Sequence, residues 1–326
     1  MGSADLDRRL RGLIVAAGYA SAERVVVGVD REGEITTAAT HGSFTADTVA
    51  YTASVSKQVT GACLALLARR GALALDDPLA RWLPELPGWA ARIRLAHVLA
   101  HSGGLPGEER LWRAMRAAGQ ADRTTPGVLA ALGAVERVAA PGLVHGYCNW
   151  GYVCLAEVAA RAAGEPLPLF AGRELFGPLG MAATVLWSGP GPAPPGATPL
   201  PSRPAPLTLG DGGMWSTVAD LLRWNRGIGA DQLGTAQMLH TPGRLGDGTS
   251  VPYAMGVGLR THRGRMLHSH GGAWPGVTAK LVRIAGTRRG LAVLALADGV
   301  DRMVALTDAL TELLLEDDAP DGARPA

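Results

Sequence analysis

Strand patterns lie at both ends of this chain, and helical patterns fill its middle. Near the N-terminus, a β-branched run at residues 24–30, a Glu-Gly turn and a second run at residues 34–39 predict a hairpin. Near the C-terminus, four further strands are predicted at residues 255–259, 265–269, 278–284 and 291–297. Residues 91–180 show no alternating pattern. Strands from both chain ends can share one antiparallel sheet, so the sequence predicts an α+β fold with an inserted helical block.

Helical periodicity flanks these strands. Apolar residues recur every three or four positions over residues 5–18, 56–70 and 301–315, and Thr217 is a suitable N-cap for a helix over 217–227. We therefore expect residues 1–80 and 207–326 to form a lobe around the sheet. Residues 81–206 are expected to form a mostly helical lobe that ends in a proline-rich loop at 187–206. The active site would lie between the two lobes of this composite domain.

Composition excludes several classes of function. The net charge of +2 and the lack of a basic run exclude nucleic acid as an expected partner. No apolar stretch reaches the roughly 18 residues of a membrane helix, and residues 1–7 do not resemble a secretory signal. Cys63, Cys148 and Cys154 lack paired spacing, which predicts free thiols and a cytoplasmic location. His97 and His101 lack a third ligand, so no metal is expected, and without a Gly-x-Gly-x-x-Gly motif or a phosphate loop no cofactor is expected either.

Lysine is rare in this chain, where Lys57 and Lys280 are the two lysines among 31 basic residues. Lys57 follows Ser54 by three positions, and residues i and i+3 share a face at the start of a helix, so the two side chains are expected to meet. A serine hydroxyl needs a base to become a nucleophile, and a lysine with a lowered pKa can be that base. The spacing alone also allows an N-cap serine beside a solvated lysine.

Two further patterns carry polar groups that could reach the same cleft. Residues 147–149, Tyr-Cys-Asn, precede a helical pattern and could point a phenol and an amide inward. Residues 270–273, His-Gly-Gly-Ala, end a strand in small residues, where free N–H groups could form an oxyanion hole with the amide of Ser54. Either pattern alone is compatible with a structural role. In the order Ser-x-x-Lys, Tyr-x-Asn, His-Gly-Gly, they predict a nucleophilic site.

These motifs resemble those of the serine β-lactamase-like hydrolases of the penicillin-recognising group, and above all the branch of class C β-lactamases, esterases and D-aminopeptidases. Related enzymes carry Ser-x-x-Lys, Ser-Asp-Asn and Lys-Thr-Gly. Here Tyr147-Cys148-Asn149 stands for the second motif and His270-Gly271-Gly272 for the third. The resemblance runs from about residue 24 to 315 and includes residues 73–78, 82–87, 99–105 and 212–221, with Gly103 where serine is usual. It implies a β-lactamase/transpeptidase-like fold.

The resemblance also implies roles for the catalytic residues. Ser54 would be the nucleophile that forms an acyl-enzyme. Lys57 and Tyr147 would share the proton transfers as a coupled pair, with Tyr147 near the leaving group. Asn149 would hold Lys57 and the substrate amide. The amide of Ala273 would complete the oxyanion hole.

His270, Gly271 and Gly272 would line the substrate site by the same resemblance. His270 stands where true β-lactamases have a lysine, and imidazole is a weaker anchor for a carboxylate at neutral pH. This replacement favours a serine hydrolase of esterase or D-aminopeptidase type, acting on a small ester or amide. The alternatives are a transacylase of secondary metabolism that passes the acyl group to an amine, a weak β-lactamase and, against the intact motifs, a non-catalytic binding module. The proline-rich loop is either a wall of the cleft or a surface insertion.

Overall fold

A computed structural model of the chain describes residues 3–40, 43–119, 123–135, 139–189, 191 and 193–316. Within these ranges the strands are β1 (Arg24–Arg31), β2 (Glu34–Ala39), β3 (Ala50–Tyr51), β4 (Val185–Leu186), β5 (Met214–Ser216), β6 (Gly258–His262), β7 (Arg265–Trp274), β8 (Val277–Ile284) and β9 (Arg289–Leu296). The α-helices are α1 (Ser3–Ala16), α2 (Lys57–Arg69), α3 (Leu79–Trp82), α4 (Leu95–Leu99), α5 (Glu108–Ala117), α6 (Thr125–Gly133), α7 (Asn149–Ala163), α8 (Leu167–Ala171), α9 (Val218–Gly229), α10 (Ala236–His240) and α11 (Val300–Glu316). Shorter helical turns are the 3₁₀ turns Ala53–Ser56 and Gly88–Arg92 and the π-helical turn Gly172–Phe176. None of the described helices combines the length and the apolar character needed to cross a bilayer.

Six strands form one antiparallel sheet in the order β2-β1-β9-β8-β7-β6. β1 pairs with β9 from Arg24↔Leu296 to Arg31↔Arg289, so strands from the two ends of the chain are neighbours within the sheet. The predicted α+β fold, with an antiparallel sheet drawn from both chain ends, is confirmed. The lobe boundaries at residues 80 and 206 stay a prediction.

Helices cover both faces of this sheet. On one face, α1 and α11 bury Leu10 and Leu310 against Val293 of β9. On the other face, Val59 of α2 packs in the larger core cluster that also contains Leu294 of β9. Each such side chain contributes roughly 1.5–3 kcal/mol by its removal from water. Because β9 is buried on both faces, its sequence is an unbroken apolar run without alternation.

β7 is longer than the sequence predicts. The strand expected at residues 265–269 continues to Trp274, because the Pro275-Gly276 turn allows Trp274 to pair with Val277. Gly276 has φ +82°, a conformation that favours glycine at this position of a turn. The extension carries residues 271–273 past the end of β6, whose last partner on β7 is Ser269.

A second sheet, of three strands in the order β3-β5-β4, is absent from the sequence prediction because its strands have only two or three residues. Tyr51 pairs with Trp215, and the amide of Thr52 donates to the carbonyl of Met214 at 3.0 Å. This sheet places residues 211–213 beside the start of α2.

Candidate active site

Ser54 lies in the single 3₁₀ turn that leads directly into α2. The preceding residue, Ala53, has φ +47°, which non-glycine residues rarely adopt. Thr52 anchors this turn, because its amide and its hydroxyl both donate to the carbonyl of Met214 at 3.0 Å. The small sheet thus holds a strained backbone immediately before Ser54, and Ser54 forms part of the wall of a cleft.

Lys57 is fully buried, and its Nζ makes three hydrogen bonds. Its partners are Ser54 Oγ at 3.0 Å, Asn149 Oδ1 at 2.6 Å and the carbonyl of Asp211 at 2.8 Å. Burial lowers the pKa of Lys57 well below its ordinary 10.5, and the nearby Arg123 lowers it further. The predicted contact of Ser54 with Lys57 is therefore present, and the alternative of a solvated lysine is wrong.

These contacts show how a neutral Lys57 would be oriented. A neutral amine has two N–H donors and one lone pair, and the oxygens of Asn149 and Asp211 can only accept. They would take the two N–H groups, which leaves the lone pair directed at the hydroxyl of Ser54. The orientation of the Asn149 amide is fixed in turn by Glu108, whose Oε1 accepts from Asn149 Nδ2 at 2.7 Å. Glu108 is a site residue that sequence reasoning missed, since no spacing connects it with Asn149.

Tyr147 lies beside Lys57, whose Nζ is 4.9 Å from the centroid of the Tyr147 ring. Burial raises the pKa of Tyr147 to about 12, and its contact with the side chain of Ser54 opposes that shift. The two directions agree, because the pKa of Lys57 is lowered and that of Tyr147 is raised. Both favour a neutral amine beside a neutral phenol over an ammonium–tyrosinate pair.

The edge of β7 supplies a free backbone amide. Ala285 N donates to Met266 O, which shows that residues 266, 268, 270, 272 and 274 direct their backbone groups toward β8. The amide of Ala273 therefore points away from β8, beyond the end of β6 and toward the open edge. The amide of Ser54 lies in the first turn of a helix, where N–H groups lack an acceptor within the helix. These are the two amides that the sequence assigned to an oxyanion hole.

Gly272 allows β7 to approach the nucleophile turn. A Cβ at this position would lie 2.1 Å from Thr52 O and 3.1 Å from Ser54 N. Gly271 differs, since its Cβ would meet Lys280 at 3.6 Å on the other face of the sheet. Of the two predicted glycines, Gly272 is the one that contacts the turn around Ser54.

His270 does not line the cleft beside Ser54, as a residue that anchors a substrate would. It is 8% exposed, its Nε2 meets the hydroxyl of Tyr253 at 2.9 Å, and its Nδ1 meets the carbonyl of Gly271 at 2.6 Å. Nδ1 must carry the proton that faces this carbonyl, so Nε2 accepts from Tyr253. Burial lowers the pKa of His270 to about 3. His270 is therefore neutral, with both nitrogens occupied.

The cleft beside Ser54 has a volume of about 710 Å³. Its charged lining comprises the carboxylates of Glu108, Glu109 and Asp211 and the guanidinium groups of Arg116, Arg123 and Arg203. Arg123 forms a buried ion pair with Asp211, whose backbone holds Lys57, and its guanidinium lies 4.5 Å from the ring centroid of Trp150. Asp211 directly precedes the Gly-Gly segment at residues 212–213, which is the one signal that could have found this pair.

The proline-rich loop contributes to the cleft wall through Arg203 and Pro206. Trp274 Nε1 donates to the carbonyl of Pro204 at 3.0 Å, and the guanidinium of Arg203 lies 5.2 Å from the ring centroid of Trp274. The loop is thus attached to the end of β7. Of the two alternatives for this segment, the structure favours a wall of the cleft.

Comparison with known proteins identifies the family of this fold. The chain belongs to the beta-lactamase family, whose model matches residues 14–315. It is 27% identical over 273 residues to penicillin-binding protein 4* of Bacillus subtilis (strain 168), covering 74% of this chain and 59% of the relative. It is 29% identical over 194 residues to the D-alanyl-D-alanine-carboxypeptidase/endopeptidase AmpH of Escherichia coli (strain K12), covering 55% of this chain and 48% of the relative. The chain therefore spans only about half the length of these curated relatives.

The fold is similar to that of a solved D-amino acid amidase from Ochrobactrum anthropi SV3. The TM-score is 0.76 at 20% identity, with 93% of this chain and 99% of the amidase covered. The predicted β-lactamase/transpeptidase-like fold is confirmed.

Proposed function

We propose that this protein is a serine hydrolase that cleaves small amides or esters through an acyl-enzyme on Ser54. The hydrogen bonds of Lys57 are the observation that supports this most. Two acceptor-only partners occupy the N–H groups of a neutral Lys57, so its lone pair faces Ser54 Oγ at 3.0 Å.

The proposed reaction begins when Ser54 Oγ attacks the substrate carbonyl carbon and Lys57 Nζ takes the hydroxyl proton. The amides of Ser54 and Ala273 stabilise the oxyanion that forms. The bond from carbon to the leaving group then breaks, and Tyr147 gives its phenolic proton to the leaving nitrogen or oxygen while it regains one from the Lys57 ammonium. Water then attacks the acyl-enzyme carbonyl and gives a proton to Lys57. The bond from carbon to Ser54 Oγ breaks, and Lys57 returns the proton to Oγ as the acid leaves.

The carboxylate of Glu108 supports a substrate with a free amino group. Glu108 uses Oε1 to hold Asn149, and the described part of the chain offers no hydrogen bond to its other oxygen. Glu109 lines the same cleft and already pairs with Arg113 at 3.0 Å, so Glu108 is the carboxylate that suits an ammonium group, as amino acid amides carry. The neutral His270 offers no cation at the position where true β-lactamases have a lysine, which disfavours a β-lactamase.

We therefore propose amides or esters of small amino acids as substrates, and D-amino acids before L-amino acids. The similarity to a D-alanyl-D-alanine-carboxypeptidase/endopeptidase and to a D-amino acid amidase supports the D configuration. Transfer to an amine instead of water uses the same acyl-enzyme, and it is tested below. We keep a cytoplasmic location as part of the proposal, which the burial of the three free cysteines supports.

Covalent labelling tests the nucleophile. The protein is incubated with p-nitrophenyl esters, with D- and L-aminoacyl p-nitroanilides and with a chromogenic cephalosporin, each with and without an added amine, and intact masses are recorded. We expect an acyl adduct, turnover of the D-aminoacyl substrates, and loss of both in Ser54→Ala.

Ser56→Ala is the matched control for this experiment. Ser56 lies in the same turn, but its hydroxyl is buried and donates to the carbonyl of Gly212 at 2.8 Å. This variant should still form the adduct. An adduct that persists in Ser54→Ala would exclude Ser54 as the nucleophile, and a product that carries the added amine would identify a transacylase.

The pH dependence should follow Lys57 alone. A base must be unprotonated, and the pKa of Lys57 lies well below 10.5, so kcat/KM should be high near neutral pH and fall as the pH drops through that lowered value. His270, with a pKa of about 3, is already neutral across this range. When kcat/KM of His270→Gln is measured between about pH 5 and 10, its fall toward acidic pH, the acidic limb, should therefore lie at the same pH as in the parent. A limb that moves by about one pH unit in this variant would show that the imidazole titrates there.

A further inference from the structure

A second cavity, of about 300 Å³, lies between the C-terminal end of α9 and the connection from the end of β8 to the start of β9. Its lining includes four arginines, Arg226, Arg283, Arg288 and Arg289. Arg283 shares a sheet face with Ala279, the partner of Gly272, but lies four residues further along β8, which is about 13 Å. Leu281, 1% exposed, lies between them. This cavity is therefore separate from the cleft at Ser54.

Arg283 is the unusual residue of this cavity, because it is 4% exposed and no carboxylate within the described ranges pairs with it. Its Nη2 contacts His240 Nε2 and, at 3.4 Å, His268 Nδ1, while its Nη1 donates to Asn225 Oδ1 at 3.5 Å. Both imidazole nitrogens must accept from the guanidinium, so neither ring carries a charge that could balance it. Its Nε donates to no acceptor in the described part of the chain.

The other charges around the cavity do not neutralise Arg283. Asp30, the one carboxylate in the lining, is engaged with both Arg226 and the amide of Gly33. Arg289 pairs with Glu32 outside the cavity at 3.0 Å. Arg288 is exposed at the rim and has no carboxylate partner among the described residues. The C-terminal end of α9 supplies only about half a negative charge. Arg283 and Arg288 therefore leave about one and a half positive charges uncompensated.

We propose that this cavity binds a small phosphate-type oxyanion between Arg283 and Arg288. A buried cation without a counter-charge is costly, and an anion that binds there removes this cost. This excess of about one and a half charges matches a phosphate, which carries between one and two negative charges near neutral pH, better than a carboxylate. The cavity has the volume of roughly ten water molecules, so the phosphate could be inorganic or belong to a small phosphomonoester.

Thermal unfolding of the full chain tests the proposal. Inorganic phosphate, glycerol 3-phosphate, sulfate and acetate are added at constant ionic strength, which is held with sodium chloride, and isothermal titration calorimetry gives the affinity. Phosphate should raise Tm by about 2 °C at ten times its Kd, and acetate by much less. Stronger binding of glycerol 3-phosphate than of phosphate would identify an organic phosphate as the ligand class, and the reverse would identify the free ion.

Arg283→Gln should abolish the shift. Arg260→Gln is the matched control, because it changes the net charge equally in an exposed pair with Asp308 outside the cavity. Arg288→Gln, at the exposed rim, should weaken phosphate binding severalfold without any risk to folding, which keeps the test valid if Arg283→Gln does not fold. An equal phosphate response in Arg260→Gln and in both cavity variants, or a phosphate effect no larger than that of chloride, would overturn the proposal.

Discussion

Lys57→Arg is expected to lower kcat/KM by about 10²- to 10⁴-fold, the range that a general base contributes. The substitution keeps a positive charge at the position but removes the base, because a guanidinium does not lose its proton in a protein. Asn149 and Asp211 would still find donors, whereas Ser54 would face a group without a lone pair. Steady-state kinetics with the best substrate of the panel measures the loss, and intact mass shows whether an acyl-enzyme still forms.

The chain contains its own control for this change. Lys280 is the other lysine, on the sheet face opposite the cleft, where burial lowers its pKa as well. Lys280→Arg makes the same chemical change away from Ser54, so its kcat/KM should stay within about threefold of the parent. Comparable losses in both variants would mean that the introduced arginine lowers activity by destabilising the fold, and unfolding curves would show this destabilisation. Near-parental activity in Lys57→Arg would exclude Lys57 as the base.

Gly272→Ala is expected to lower kcat by about 10²- to 10³-fold, the effect of losing one oxyanion donor. The new Cβ would lie 2.1 Å from Thr52 O, which cannot yield easily because Thr52 is fully buried and bonded twice to Met214. β7 would have to move away from the turn, and the amides of Ser54 and Ala273 would separate. Overpacking of this kind also destabilises the fold by about 1–3 kcal/mol.

Gly271→Ala separates the two effects of Gly272→Ala. Its Cβ would meet Lys280 at an ordinary 3.6 Å on the opposite face, so the predicted loss in kcat is less than about tenfold. Kinetics and urea unfolding of both variants would be compared side by side. A larger loss of activity in Gly271→Ala than in Gly272→Ala would contradict the face assignment and the placement of the Ala273 amide.

Strong periodicity made most of the fold predictable. The β-branched run of β1, the helical repeat of α2 and the N-cap Thr217, whose Oγ1 accepts from Asp220 N at 3.0 Å, are local signals that the structure retains. The two- and three-residue strands of the small sheet are too short to show such a signal. The pairing of β3 with β5 also depends on contacts between distant positions, as between Thr52 and Met214, which are 162 positions apart. The sequence prediction stops β7 at residue 269 because the glycines that follow are not typical of a strand. Pairing with β8 holds them in the strand all the same.

The candidate site divides in the same way. Ser54 and Lys57 are linked by helical spacing, so their contact follows from sequence alone. Tertiary packing alone brings Glu108, Arg123 and Asp211 to the site. Their spacing in the sequence therefore does not indicate that they are close to Ser54. The burial that lowers the pKa of Lys57 likewise depends on the whole fold. Sequence reasoning can therefore predict which groups react before it can predict what tunes them.

The pairing of β1 with β9 has a consequence for how the protein is made. β1 leaves the ribosome well before its partner strand β9 is synthesised, so the two strands can pair only after the whole segment between them has emerged. Non-local pairing of this kind gives a high contact order and slow folding. The backbone amides at Ser54 and Ala273 come from the two sides of that late closure. A nascent chain halted before β7 would contain the nucleophile and the base but would lack the amide of Ala273, so we expect it to be inactive.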